Sequence, residues 1–206
     1  MKTKLLTFMF IFTAMLLTYG KTAYAQNAYF NSYYASINGG LAQTTPNGLS
    51  SKTGDTINMS VGKNFNFNNI VIGGDATLGY ANNGNWTFNN FDGYGDNLSS
   101  SIHSYYYALA LKMGYAMQNI MPFMKLGYIN YTYSGNLIYS GQYSAYINDN
   151  FTHSLSVNGR GLLYGVGIEY MINQNWGITA QYLGASLSGS GKGKMNNYII
   201  GLDYNF

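Results

Sequence analysis

The stretch SYYYALALKMGYA, residues 104–116, alternates from one residue to the next between large apolar side chains and small or polar ones. Its odd-numbered positions carry tyrosine, leucine and methionine, and its even-numbered positions carry mainly alanine, glycine and Lys112. Successive side chains of a strand point to opposite faces, so this pattern predicts a strand with one apolar face. Seven further stretches alternate in the same way: residues 33–42, 56–65, 70–81, 122–133, 162–172, 176–185 and 198–206. The sequence therefore predicts eight strands of about ten residues each.

The residues on the polar faces decide what kind of sheet these strands form. They are mainly Gly, Ala, Ser, Thr and Asn, whereas a water-soluble sandwich places charged residues on its exposed faces. Small residues fit a narrow interior, and a tilted strand of about 9 to 11 residues crosses a bilayer. A closed barrel is the only sheet that leaves no backbone group unpaired in lipid. We therefore predict an all-β fold, an eight-stranded antiparallel up-and-down transmembrane β-barrel.

The connections between the predicted strands alternate in length. Short connections are predicted at residues 66–69, 117–121 and 173–175, and long ones at residues 42–55, 82–101, 134–160 and 186–195. Outer-membrane barrels have short periplasmic turns and long extracellular loops. We therefore expect both chain termini in the periplasm and the long connections outside the cell.

The first 25 residues, MKTKLLTFMFIFTAMLLTYGKTAYA, have the features of a secretory signal peptide. A basic start and a short apolar stretch precede a small-x-small cleavage site at Ala23 and Ala25. We predict a signal peptide at residues 1–25 and one barrel domain at residues 26–206. Three of the ten basic residues leave with the signal, so the mature chain is close to neutral. We therefore expect no binding to nucleic acid.

Charged residues within the predicted strands face mostly inward. Those with inward parity are Asp75, Lys112, Lys125, Glu169 and Asp203, and Lys63 alone has outward parity, near a periplasmic strand end. The other charged residues of the mature chain fall in predicted loops: Lys52, Asp55, Asp92, Asp96, Asp149, Arg160, Lys192 and Lys194. We expect Asp75 and Lys112 at similar heights on strands 3 and 4, and Lys125 and Glu169 likewise on strands 5 and 6. Because buried charges must be paired, these residues are expected to form a network that plugs the lumen.

The end of the chain, YIIGLDYNF at residues 198–206, resembles the C-terminal recognition signal of bacterial outer-membrane barrels through Gly201, Tyr204 and Phe206. Ile199 departs from that signal, which has a polar residue two positions before the glycine. The stretches YYASINGGLA, PFMKLGYINY and EYMINQNWGITAQYLG, together with Phe206, resemble the small eight-stranded barrels related to the membrane domain of outer membrane protein A and the opacity-like surface proteins.

This resemblance implies a bacterial outer-membrane protein, porin-like in fold, with variable surface loops. Its implied partners are outer-membrane lipid, periplasmic chaperones and the barrel-assembly machinery. A fold shared by many functions does not by itself imply an activity.

Three functions remain open at the level of sequence. The first, which we favour, is a structural or adhesive surface protein whose Tyr-, Ser-, Gly- and Asn-rich loops bind a host or other extracellular ligand. The second is a narrow pore, although eight strands leave an interior that side chains fill. The third is a lipid-modifying enzyme, which needs a nucleophile beside a histidine base. Its candidates are His103 beside Ser101 and Ser104, and His153 beside Ser154 and near Asp149. We expect no enzyme activity, no cofactor and no metal site.

Overall fold

The computed structural model describes residues 28–47, 50–89, 97–140 and 152–206. After a 3₁₀ turn at Ala28–Phe30, these residues form eight strands: β1 (Tyr33–Pro46), β2 (Lys52–Phe67), β3 (Ile70–Phe88), β4 (Asn97–Tyr115), β5 (Ile120–Ser140), β6 (Thr152–Met171), β7 (Trp176–Ser188) and β8 (Gly193–Asn205). Within these ranges, no helix is long and apolar enough to cross a membrane. The predicted signal peptide, with Ala23 and Ala25, lies outside the described residues and stays a prediction.

The eight strands close into a barrel. Each strand pairs antiparallel with its neighbours in the chain, and β8 pairs antiparallel with β1. Along this seam Tyr34 lies opposite Asn205 and Pro46 lies opposite Gly193. Just beyond it, the amide of Phe206 donates a hydrogen bond to the carbonyl of Tyr33, with an N···O distance of 3.0 Å. The predicted eight-stranded antiparallel barrel is confirmed, and closure leaves the sheet without an open edge.

The two ends of the barrel differ. Short turns at residues 68–69, 116–119 and 172–175 lie where β1 begins and β8 ends, and we call this the turn end. The tightest turn places Asn68 and Asn69 at φ 50° and 75°, in the left-handed region that a two-residue hairpin requires. The opposite end, the loop end, carries the connections at residues 47–51, 89–96, 141–151 and 189–192.

The predicted faces of the strands are confirmed. Apolar side chains of one parity remain exposed on the outer surface, for example Leu111 at 69% and Ile200 at 66%. Aromatic side chains border this apolar band on both sides, as in membrane barrels. The lower belt, near the turn end, comprises Tyr33, Phe65, Tyr170, Trp176, Tyr204 and Phe206. The upper belt, nearer the loop end, comprises Tyr80, Tyr105, Tyr107, Tyr128, Tyr164, Tyr182 and Tyr198.

The strands are longer than predicted. They run from 13 residues in β7 and β8 to 21 residues in β5, so the expectation of about ten residues was wrong. Much of the predicted loop sequence continues the sheet: residues 42–46, 52–55, 82–88, 97–101, 134–140, 152–160, 186–188 and 193–195. Beyond the upper belt the outward face becomes polar, while apolar side chains such as Ile102, Tyr133 and Val157 face the lumen. The predicted apolar outer face therefore stops while backbone pairing continues. The predicted alternation of short and long connections also fails at residues 189–192, where four residues join β7 to β8.

Candidate functional site: the lumen and the loop end

The lumen contains a layer of buried charge in its turn-end half. Asp75, Lys112, Lys125, Glu169 and Asp203 all point inward and are at most 7% exposed. Lys112 Nζ lies 2.6 Å from Glu169 Oε2, and Lys125 forms an ion pair with Asp75. We call these five residues the charge layer.

The ion pairs of the charge layer do not join neighbouring strands. Lys112 on β4 reaches Glu169 on β6, and Lys125 on β5 reaches Asp75 on β3. This follows from the register, because Lys112 and Lys125 are direct cross-strand partners and like charges at such positions repel. Each lysine therefore extends past the strand of the other lysine and pairs with a carboxylate two strands away. The sequence indicated which charges face inward but did not indicate which would pair.

Aromatic rings enclose the two lysines. Lys112 Nζ lies 4.9 Å from the ring centroid of Tyr34 and 4.7 Å from that of Phe123, both within cation–π range. The hydroxyl of Tyr34 donates to Asp75 Oδ2 at 3.1 Å. Asp203 accepts a hydrogen bond from the hydroxyl of Thr179. The layer is thus held by hydrogen bonds and aromatic faces as well as by ion pairs.

Below the charge layer, an apolar cluster occupies the turn end of the lumen. Phe30, from the 3₁₀ turn before β1, is fully buried there. It packs in one cluster with Val71, Ala116, Met121, Phe123 and Met171. The backbone amide of Asn64 holds this entry segment through a 3.0 Å hydrogen bond to the carbonyl of Ser32. The start of the described chain therefore folds into the barrel and closes its turn end.

Above the charge layer, the lumen is packed like the core of a soluble protein. Tyr106 and Tyr131 stack with their ring centroids 5.4 Å apart, and Tyr131 contacts Tyr133 at 4.7 Å. Ile129 and Met195 in the same cluster are fully buried. The expectation of mostly small residues on this face was wrong in this part of the lumen. The tyrosines were hard to assign from the sequence, because tyrosine is common on the outer face as well.

A cavity of about 390 Å³ opens above this cluster at the loop end. Its walls are formed by Ile102, Tyr133, Val157, Thr44, Asn83 and the turn that includes Lys192. This turn is fixed at both sides, since Asn47 N donates to Lys192 O at 3.0 Å and Gly191 N donates to Asn158 O at 2.8 Å. We call this cavity the mouth pocket. In the described part of the chain, the buried hydroxyl of Tyr133 has no hydrogen-bond partner.

The sequence profile of the outer membrane protein beta-barrel domain matches residues 12–206. The chain belongs to this family. Membership accounts for the closed sheet, the apolar outer band and the aromatic belts, and it indicates a location in the bacterial outer membrane. A search of curated proteins finds no match to the chain.

Several solved structures share the fold of this outer-membrane barrel. The attachment invasion locus protein Ail of Yersinia pestis superposes with a TM-score of 0.53 at 19% identity, covering 85% of this chain and 99% of Ail. Neisserial surface protein A gives a TM-score of 0.57 at 14% identity, covering 84% of this chain and 97% of that one. A major outer membrane protein from Thermus thermophilus gives 0.54 at 12% identity, covering 85% and 100%. At these identities the likeness concerns the fold alone.

The barrel rises above its upper belt on one side. Strands β3 to β6 have 19 to 21 residues, whereas β1, β2, β7 and β8 have 13 to 16. The outward-facing residues of this extension are almost all polar: Asn82, Asn85, Thr87, Ser99, Ser101, His103, Asn130, Thr132, Ser134, Asn136, Ser154, Ser156 and Asn158. We call this surface the outer wall. Thr132 Oγ1 donates to Asn158 Oδ1 at 2.9 Å across it, so its side chains form part of an ordered sheet.

Both histidine candidates lie in strands: His103 is in β4, at the top of which it was expected, whereas His153 was expected in the longest loop. His103 is on β4, and its ring packs against the rings of Tyr80 at 6.1 Å and Tyr105 at 5.8 Å. Ser104 points into the lumen, where Asn83 donates a hydrogen bond to its hydroxyl. His153 belongs to β6, and Asp149 lies outside the described residues. Among described residues, no three of His, Cys, Asp or Glu lie close enough together to hold a metal ion.

The residues of the predicted assembly signal lie in and just after β8. Tyr204 and Phe206 belong to the lower belt, and Phe206 stacks on Tyr33 with ring centroids 6.2 Å apart. Gly201 faces inward opposite Asn38 on β1. Ile199, the departure from the signal, also faces inward and is 3% exposed, within the upper core.

Proposed function

We propose that this outer-membrane barrel is a surface-exposed binding protein with a closed lumen, and that its loop end faces the outside of the cell. The outer wall carries the proposal. A barrel that only spans the membrane has no need of paired strands beyond its upper belt. Here four neighbouring strands continue past that belt and present Asn, Ser and Thr to water on an ordered sheet. Such a surface suits a hydrogen-bonding extracellular partner.

The mouth pocket adds to this proposal. It opens at the same end as the outer wall, and its walls combine apolar side chains with polar residues such as Thr44, Asn83 and Lys192. At about 390 Å³ it lies near the lower end of the usual size range of ligand pockets. A partner that lies against the wall can insert a small group there. The name of one structural neighbour, the attachment invasion locus protein, refers to attachment, but the proposal for this chain rests on its own outer wall.

A narrow pore has less support. Three successive layers fill the lumen between the turn end and the mouth pocket: the Phe30 cluster, the charge layer and the upper core. Solvent hardly reaches these side chains, since Phe30, Glu169 and Ile129 are exposed by 2% or less. A conducting state would have to displace all three layers.

An enzyme has less support too. A serine nucleophile must lie within hydrogen-bonding reach of its histidine base. His103 and Ser104 point to opposite faces of β4, and the His103 ring is engaged by two tyrosines. This arrangement counts against a Ser104–His103 pair.

The orientation can be tested directly, because the sequence contains no cysteine. Asn136→Cys places a single thiol on the outer wall, and Asn173→Cys places one in a turn at the turn end. A membrane-impermeant maleimide applied to whole cells should label the first variant and not the second. Both should be labelled after the cells are broken. Labelling of Asn173→Cys alone on whole cells would reverse the proposed orientation.

Binding can be tested with a matched pair of surface variants. One variant replaces Thr132, Ser134 and Asn136 on the outer wall by Glu, and its control replaces Ser50, Ser51 and Thr53 at the exposed rim beside β2 by Glu. Cells displaying each form are tested for attachment to immobilised glycans and matrix proteins. We expect the wall variant to lose attachment and the rim variant to keep it. If cells that lack the protein attach equally well, the binding function is refuted, and a structural role is the remaining interpretation.

A further inference from the structure

Two basic side chains lie outside the barrel wall just above the upper belt. Arg160 on β6 and Lys194 on β8 both face outward and are exposed. The prediction that both residues lie in loops was wrong, because both lie in strands, and their positions follow from the register. Arg160 pairs with Ser188 on β7, and Lys194 pairs with Ser186 on the same strand. The two Cα atoms are therefore separated by two strand spacings and a two-residue offset, about 10 to 12 Å.

A continuous set of tyrosines lies directly beneath these two cations. Tyr164, Tyr182 and Tyr198 occupy β6, β7 and β8, with ring centroids 6.3 Å and 5.3 Å apart along the series. They belong to the upper belt, and such belts mark the boundary between the hydrocarbon core and the headgroups. Arg160 lies four residues nearer to the loop end than Tyr164, and Lys194 lies four residues nearer to it than Tyr198. That distance places the two cations at the level of the lipid headgroups.

Hydrogen-bonding groups fill the space between the cations. Ser186 and Ser188 on β7 are exposed, and Asn196 accepts a 2.6 Å hydrogen bond from the hydroxyl of Tyr182. In the part of the chain that the structure describes, neither Arg160 nor Lys194 is paired with a carboxylate. Asp55 on β2 is an outward-facing acid at similar height. It pairs with Leu41 on β1, which in turn pairs with Tyr198 on β8, four residues from Lys194.

We propose that Arg160 and Lys194 form a binding site for the phosphorylated headgroup of an outer-leaflet lipid. Guanidinium and ammonium groups are the usual protein ligands of phosphate, and the hydroxyl of Ser186 supplies a further donor between them. The hydroxyl of Ser188 donates to the backbone carbonyl of Arg160 at 2.9 Å. The acyl chains then run down the apolar band over β7, where Ala180 lies between Ile168 and Ile200. This site rests on the orientation given by the proposed function, because only then does the loop end meet the outer leaflet.

The site can be tested with the full-length mature chain refolded into phosphatidylcholine vesicles. The vesicles contain either lipid A with both phosphates or lipid A from which the phosphates have been removed. Lipid that remains bound after extraction is measured by native mass spectrometry. We expect retention of the phosphorylated form, and a loss of about fivefold in affinity for Arg160→Gln or Lys194→Gln alone, the factor expected for one basic residue near a membrane surface. The double variant should lose roughly 25-fold.

Lys63→Gln is the matched control, because Lys63 is also basic and lies near the lower belt, with its Nζ 4.0 Å from the ring centroid of Tyr33. It should retain lipid like the unmodified protein, and Arg160→Lys should retain most of the binding. A heat-modifiable gel shift confirms that every variant is folded. Equal retention of both forms of lipid A, or unchanged retention by the double variant, would refute the site. Competition by dextran sulfate with no preference for phosphorylated lipid would assign the cations to a soluble polyanion instead.

Loss of lipid binding and loss of attachment are separate results. If the orientation test places the loop end in the periplasm, the proposed function fails on its own evidence. If cells attach normally while the Arg160 and Lys194 variants bind lipid A unchanged, only the headgroup site is refuted.

Discussion

Lys112 and Lys125 are direct register partners on β4 and β5, and the ion pair of each lysine reaches past the strand of the other. Four strands are thereby joined across the lumen by two crossing ion pairs. Each carboxylate neutralises one lysine and so separates it electrostatically from the second. Removal of one carboxylate leaves two neighbouring ammonium groups with one counter-charge, in a place that solvent hardly reaches.

Breaking one pair should therefore cost more than removing it entirely. We expect Glu169→Gln to lower the free energy of unfolding by about 3 to 5 kcal/mol, because it leaves Lys112 buried and unpaired. Replacement of both Lys112 and Glu169 by Met should cost clearly less. Urea unfolding in detergent micelles measures both values. Lys192→Gln, at an exposed position, is the control, and a single variant as stable as the unmodified protein would contradict the prediction.

The closed lumen predicts that the protein does not conduct ions. In planar bilayers, the purified protein should show no large and steady conductance, because three packed layers occupy the lumen. Phe30→Ala removes the buried aromatic ring that closes the turn end, but it leaves the charge layer and the upper core in place. That variant should therefore be silent as well. A large, steady conductance from the unmodified protein would show that the layers do not block ions.

Two adjacent glycines of β1 should respond differently to alanine. A Cβ at Gly40 would lie 2.0 Å from the carbonyl oxygen of Tyr198, so the β1–β8 seam would have to shift. A Cβ at Gly39 would lie 3.8 Å from the carbonyl oxygen of Thr56, an ordinary contact. We expect Gly40→Ala to destabilise the barrel by about 1 to 3 kcal/mol and Gly39→Ala to change stability by no more than about 0.5 kcal/mol. Urea unfolding compares the two variants directly, and equal values would exclude close packing at the seam as the cause.

Deletion of Phe206 should harm assembly in cells more than it harms the folded barrel. Phe206 stacks on Tyr33 and Tyr204 at the lower belt, and its loss forfeits at most about 1.5 to 3 kcal/mol of burial. The shortened chain should refold in detergent with a normal gel shift, yet reach the outer membrane poorly if assembly factors recognise the chain end. Phe67→Ala, which removes another exposed aromatic near the turn end, is the control. Equal outer-membrane yields of all three proteins would show that the last residues are a strand and no signal.

The mature protein should begin at Gln26. Intact-mass measurement of the protein purified from outer membranes tests the predicted cleavage after Ala25. Ala25→Arg should block cleavage, because the site requires small residues. A mature chain that still contained Lys2 and Lys4 would contradict the signal-peptide prediction.

The part of the fold that lies in lipid could be predicted from the sequence. There, one face of each strand meets hydrocarbon and the other meets the lumen, so Leu109 and Leu111 alternate with Ala110 and Lys112. The part above the upper belt could not be predicted in this way. Along β5, residues such as Thr132, Ser134 and Asn136 face water, and their composition is that of a loop. They belong to a strand because the backbone pairs with β4 and β6, and the buried Tyr131 and Tyr133 alternate with them on the inward face.

The candidate sites could likewise be predicted only in part from the sequence. Parity was enough to bring Asp75, Lys125 and Glu169 into the lumen, because a charge on the lipid face is costly. Parity could not indicate which charges would meet, since that depends on strand tilt and register around the whole ring. The same is true of Arg160 and Lys194, which come together only through their shared pairing with β7.

The seam between β1 and β8 has a consequence for how the protein folds. It brings Tyr34 next to Asn205, residues almost a whole chain apart, so closure is a contact of very high sequence separation. Such contacts form slowly, because the entropy of loop closure must be overcome first. Until the seam forms, β1 and β8 are open strand edges that can pair with other chains and aggregate. The barrel is therefore most vulnerable during its own assembly, when periplasmic chaperones, the partners we expect for this protein, would protect the unpaired edges.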